Sequence, residues 1–292
     1  MATIAHTLPQ VAPTATPRTH PVRRLLRRRF AAFGLAVILL FVALALFAPL
    51  VAPYDPLATS WGAIRKAPSL EHWFGTDEIG RDVASRVIFG ARASLLAGVV
   101  SVLISLSIGI PVGLLAGYAG GKVDMLISRL TDAVLACPFL ILAIALAAFL
   151  GPSLTNAMIA IGISATPVFV RLTRGQTLAI KAEDFILAAR AIGNPPWRIA
   201  LRHVLPNVVP ALIVQATLAI AAAVIAEASL SFLGLGQQPP APSWGSMLNT
   251  AKNYVDNAPW MAIWPGLSIF LLVLSFNLVG DGLRDALDPR SV

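Results

Sequence analysis

Residues 183–206 read EDFILAARAIGNPPWRIALRHVLP, the punctuation of two short helices joined by a glycine turn. Phe185, Ala188, Ala189 and Ile192 recur at i, i+3, i+4 and i+7, the spacing of one apolar helix face. Glu183 and Asp184 fall in the first turn and Arg190 in the last, where the helix dipole favours each charge. Gly193 follows the helix end, a position where positive φ costs glycine little. Asn194 is placed to cap a second helix with Pro195 at its first position. Trp197, Leu201 and Val204 give that helix an apolar face beside Arg198, and Pro206 ends it. Two alanines on the first face would let another surface approach the backbone closely. Pattern alone leaves two readings open: a rigid knob that docks into a partner protein, or a helix pair lying among lipid headgroups.

Outward from this segment the chain is strongly apolar. Of 292 residues, 57% are hydrophobic and only 12% are charged, against about 25% charged in ordinary soluble domains. Lipid is the solvent that suits such a composition. The net charge is +8, but the basic residues flank apolar runs and form no patch interleaved with aromatics, which argues against nucleic acid as a partner. The single cysteine, Cys137, excludes an internal disulfide and any cysteine-cluster metal site.

Residues 1–29 are Pro/Thr-rich and then Arg-rich, the composition of a cytoplasmic tail without a packed core. The run Phe30–Val51 is too long for the apolar part of a signal peptide and long enough to cross a hydrocarbon core of roughly 30 Å. Five further spans are expected over Leu95–Tyr118, Leu130–Leu150, Leu154–Val170, Val208–Ala228 and Met261–Val279. Pro111, Pro138 and Pro167 fall inside spans, where neighbouring helices can satisfy the freed carbonyls. Gly109, Gly113, Gly117 and Gly162 permit close helix approach. With the N-terminus inside, sixteen of the 22 Lys and Arg fall in inner segments and six in outer ones, the asymmetry expected of a multi-pass plasma-membrane protein. The expected fold is an all-α six-helix transmembrane bundle. It has an extracytoplasmic loop 52–94, a core 95–280 interrupted by a cytoplasmic loop 171–207, and a cytoplasmic tail 281–292.

Three stretches together resemble one family. Glu183–Pro206 resembles the "EAA" loop of ABC importer permeases: Ala188, Ala189, Gly193, Leu205 and Pro206 match in spacing, while Leu187 stands for the named glutamate and His203 for an isoleucine. HWFGTDEIGRDVASRVIFGARASL (72–95) and NLVGDGLRDALDPR (277–290) are similar to the dipeptide/oligopeptide/nickel permeases, nearest to their C-type subunit. The resemblance covers roughly 23–290. It implies the type I ABC importer permease fold in a bacterial inner membrane, with 182–205 as the coupling element. The implied partners are a second permease subunit, two ATPase subunits that carry ATP and Mg, and an extracytoplasmic solute-binding protein. Residues implied in ATPase coupling are Glu183, Asp184, Ala188, Ala189, Arg190, Gly193, Arg198, Leu205 and Pro206.

Asp77, Arg81 and Asp82 are candidates for contact with a binding protein or for an outer gate; the competing reading is a structured loop in which Arg81 pairs with an acid. Glu227, near the outer end of the fifth span, is a candidate for the translocation path, against a helix-end acid exposed to water. Phe232–Gly236 reads as a helix end or a short re-entrant turn. His203 alone is no metal site. The nearest approach to a nucleotide loop, Ala116–Val123, lacks the first glycine and the final hydroxyl, and neither HExxH nor G-x-S-x-G occurs. The chain is therefore expected to bind no cofactor and to catalyse no reaction itself. A secondary transporter would need ionisable residues near the midplane, and the middles of these spans carry almost none. A membrane-embedded enzyme would need a cluster of catalytic residues at membrane depth, and the sequence shows none.

Overall fold

A computed structural model describes residues 28–287. The expected tail 1–29 lies outside these residues apart from Arg28 and Arg29, as does 288–292. The labelled helices are α1 (Arg29–Leu46), α2 (Val83–Ala119), α3 (Gly121–Leu135), α4 (Phe139–Leu150), α5 (Leu154–Lys181), α6 (Asp184–Ala191), α7 (Pro196–Ile199), α8 (Leu205–Phe232), α9 (Trp244–Ala251) and α10 (Trp260–Leu287). Five are long and apolar enough to cross a membrane when α7 and α8 are taken as one rod, and α3 with α4 makes a sixth crossing bent by 87°.

Several edges differ from expectation. The first span stops at Leu46, and the chain turns at Phe47 before a short helix, Ala48–Val51. The loop expected over 52–94 ends at Asp82, because Asp82 caps α2 and the helix runs on for 37 residues. The span expected as one helix over Leu130–Leu150 is broken, with Pro138 at the N-cap of α4 and the bend at Ala136–Pro138. The short fourth span is the first part of a 28-residue helix that carries Pro167 inside it and ends at Lys181. Pro206 does not end a helix. Residues Ala200–Val204 form a π turn, and Pro206 sits in the first turn of α8, where its missing N–H leaves little unsatisfied.

The core pair is α2 against α5, running parallel. Gly109, Gly113 and Gly117 form a stripe against Phe169, Val170, Thr173 and Thr177; a Cβ on Gly113 would lie 2.6 Å from the Val170 carbonyl oxygen. Ser101 and Ser105 lock the same seam by donating to the carbonyls of Met158 (3.0 Å) and Gly162 (2.7 Å). Such small-residue seams and interhelical hydroxyl bonds are what drives helix association where lipid removes the hydrophobic gain. α8 runs antiparallel to α2, and α1 and α10 pack beside them, with Gly34 against Ser275 and Gly280 against Thr217. An ion pair joins Arg28 to Asp285. Both ends of the described chain therefore lie at the end of the bundle that carries 182–205, here the near end. The loop 52–82 and α9 lie at the far end.

Candidate functional site

At the near end, α6 and α7 form the expected helix–glycine–helix. Gly193 has φ +79°. Its N–H donates to the Arg190 carbonyl (2.9 Å) and that of Asn194 to the Ala189 carbonyl (3.3 Å), the paired bonds of a Schellman cap. Asn194 does not cap α7. Its amide also donates to the Ala189 carbonyl (3.2 Å), and Pro195 takes the N-cap position.

The faces differ in phase from the expected ones. Ile186 and Ala189 are the buried pair of α6, and Ile199, Ala200, Val204 and Val208 continue the buried stripe into α8 within the same core cluster. Phe185, Leu187, Ala188, Ile192, Trp197 and Leu201 are exposed. Ala189 is thus held inside its own chain and unavailable to a partner, whereas Ala188 is on the surface. The expected face went wrong because both sides of α6 are apolar, so spacing alone cannot choose between them. Glu183, Asp184, Arg190, Arg198 and Pro206 are exposed and Leu205 is half-buried. The knob is tied to the bundle through Tyr118, over whose ring lie Lys181 (5.4 Å) and Arg190 (6.0 Å).

The knob and most of the glycine-seamed bundle fall within residues 109–292, the stretch that matches a known family. Over those residues the chain matches the model of the binding-protein-dependent transport system inner membrane component. The chain belongs to that family. Residues 20–68 match the N-terminal TM domain of oligopeptide transport permease C. The chain is 46% identical to the dipeptide transport system permease protein DppC of Alkalihalophilus pseudofirmus, covering 94% of this chain and 90% of that one. It is 45% identical to the glutathione transport system permease protein GsiD of Pectobacterium atrosepticum, covering 94% and 92%. An inward-facing structure of the MetNI methionine ABC transporter matches the fold with TM-score 0.58 and 24% identity, over 69% of this chain and 96% of that one.

At the far end of this permease, the candidates Asp77, Arg81 and Asp82 are buried, with Asp77 and Arg81 paired to each other and Asp82 bonded to His72 and Ser85. Arg81 bonds Asp77 through Nε (2.6 Å) and Glu78 through a terminal nitrogen (2.6 Å). Arg86 approaches Asp77 at 3.4 Å. Burial, and after it the Asp77 carboxylate, push the Glu78 carboxyl above its ordinary value despite the Arg81 pair. His72 Nδ1 lies 2.9 Å from Asp82, whose other oxygen accepts from the Ser85 amide (2.8 Å) and hydroxyl (2.7 Å). These side chains build the loop and do not form its surface, which presents Trp61, Leu70 and Trp73. Asp82→Ala removes a helix cap worth about 0.5–2 kcal/mol together with the His72 contact. The expected result is faster proteolysis within 55–82 while the spans stay protected; cleavage at the wild-type rate would show that the cap does not hold the loop.

Glu227 is fully buried, so it is not a water-exposed helix-end acid. Ser94 of α2 donates to one carboxylate oxygen (3.0 Å) and Ser231 to the other (2.7 Å). The Ser231 hydroxyl accepts from the Gln237 backbone N–H (3.0 Å). Next to it Trp244 is completely buried, with its indole N–H on the Val87 carbonyl (2.9 Å). Phe232–Gly236 is a helix end, with Gly234 at φ +81° and the Leu235 N–H on the Leu230 carbonyl (2.8 Å). No sequence signal pointed to Ser94 or Ser231, whereas Trp244 was among the tryptophans near span ends that suit an interfacial belt, and it is buried instead. Among the described residues, no group of three or more His, Cys, Asp or Glu is placed to hold a metal ion.

Proposed function

We propose that this permease forms half of the translocation path of an ATP-driven importer for peptides or peptide-like solutes. In this reading it pairs with a second permease subunit, receives solute from an extracytoplasmic binding protein, and is driven by two separate ATPase subunits that bind ATP and Mg. The near end faces the cytoplasm, and the 182–205 knob fits the cleft of an ATPase subunit. The relatives named for dipeptide and glutathione transport support the cargo class. The observation that carries the mechanism is the division of the knob. Ile186 and Ala189 root it in the core, while Phe185 and Ile192, 46% and 79% exposed, remain bare. A rooted knob passes a push to α5 and α8; a loose helix pair would absorb it.

The test is Phe185→Glu combined with Ile192→Glu. Both side chains are exposed, so the chain should insert and keep its thermal stability. ATPase subunits that co-purify with the wild type should be lost by at least about tenfold, since desolvating two unpaired charges in a contact costs well over 1.4 kcal/mol. Unchanged retention and uptake would favour the headgroup reading and remove the coupling role. Ala189→Trp is a poor test, because overpacking a buried site harms the fold on either reading.

A further inference from the structure

α2, α3, α4, α5 and α8 line a half-open cavity of about 320 Å³ beside the bend at Ala136–Pro138. A dry cavity of about 150 Å³ admits benzene, so this one has room for one or two apolar side chains. None of its lining residues is charged. Two of its serine hydroxyls are spent on backbone, Ser101 on Met158 (3.0 Å) and Ser164 on Ala160 (2.7 Å). Gln215 lines it with an amide that makes no hydrogen bond to another described residue. The walls include Val168 and Phe169 of α5 and Gln215 and Ala219 of α8, the two helices that run into the knob.

We propose that this cavity is a solute station that takes an uncharged side chain of a peptide, with the Gln215 amide pairing with the peptide's backbone. The inference rests on the importer reading above and adds to it a site and a selectivity. An acyl chain would fill the apolar volume but leave the Gln215 donors and acceptor unpaired, a cost that a peptide group removes. Because α5 and α8 meet the knob, displacement of 182–205 changes the cavity's width, so occupancy and drive are linked through the same two helices. The selectivity is against charge: an ammonium or carboxylate entering here would meet no partner of opposite sign and would lose its water.

The experiment uses the complete transporter in liposomes, with labelled Gly-Gly and Phe-Phe as probes. Ala219→Phe, which fills the cavity from α8, should lower Phe-Phe uptake by at least about tenfold and Gly-Gly uptake by less than about twofold, as overpacking predicts. In the wild type, Phe-Phe should slow maleimide labelling of Cys137, the only cysteine of this chain and itself on the cavity wall. Cys137 needs no substitution, so this arm stands even where Ala219→Phe fails to assemble. Equal loss of both dipeptides, with Cys137 labelling indifferent to Phe-Phe, overturns the site while leaving the importer reading intact. Labelling that follows lipid acyl-chain length and ignores peptide overturns it in favour of lipid. Wild-type liposomes that take up neither dipeptide refute the peptide reading itself.

Discussion

Gly113→Leu is expected to abolish a stable bundle. A Cβ at Gly113 would fall 2.6 Å from the Val170 carbonyl oxygen and 2.7 Å from the Thr173 Cβ. The first is backbone and the second is held by the helix, so neither can rotate away. Relief requires α2 and α5 to separate, which would open the Gly109–Gly117 stripe and stretch the Ser101 and Ser105 bonds. Ordinary overpacking costs about 1–3 kcal/mol; separating two helices along a whole seam exceeds that. The control is Gly175→Leu on α5, where an added Cβ meets nothing within 4 Å and helix propensity gains up to about 1 kcal/mol. Thermal unfolding in detergent should show Gly113→Leu lost or strongly destabilised and Gly175→Leu close to wild type. Equal melting temperatures would mean that the seam does not hold the bundle.

The second large effect concerns Glu227. Removing its carboxylate in Glu227→Ala leaves the Ser94 and Ser231 hydroxyls buried without their acceptor, at about 1–3 kcal/mol for each unsatisfied group. The Ser231–Gln237 link then loses its anchor, and residues 233–251 should exchange amide hydrogens faster. Glu227→Gln keeps one carbonyl acceptor and nearly the same volume, so it should retain most of the protection. The readout is hydrogen exchange of 233–251 measured against α5 as internal reference. If the glutamine variant exchanges as fast as the alanine variant, the hydrogen bonds are not what holds this cap.

The apolar runs were legible because membrane burial writes itself into composition. Gly193 was legible because positive φ at a helix end calls for glycine, and the Gly109–Gly113–Gly117 stripe because close packing calls for small residues at every fourth position. The phase of α6 was not legible: Phe185, Ile186, Leu187, Ala188 and Ala189 are all apolar, and only tertiary contact selects Ile186 and Ala189 for the core. The start of α2 was hidden because Arg86 and Arg92 look like loop residues. In the fold, Arg86 bonds the Pro56 carbonyl (3.0 Å) and Arg92 the Ala45 carbonyl. The roles of Asp77 and Arg81 were half legible, since their spacing suggests an ion pair but does not tell a buried one from an exposed one. The surroundings of Glu227 were out of reach, because Ser94 lies 133 positions away in sequence.

The π turn at Ala200–Val204 has a mechanical consequence. Because it carries the helix past Pro206 without a break, Pro196–Phe232 is one 37-residue rod, about 55 Å long at 1.5 Å per residue. Its near tip is α7 and its far tip holds Glu227, Ser231 and, through them, the approach to α9. A crank of this length needs little rotation: a tilt of about 5° around its middle swings each tip by roughly 2–3 Å in opposite directions. On the importer reading proposed above, this single piece of helix gears the two faces of the membrane to each other, and a hinge inserted at Pro206 would disengage them.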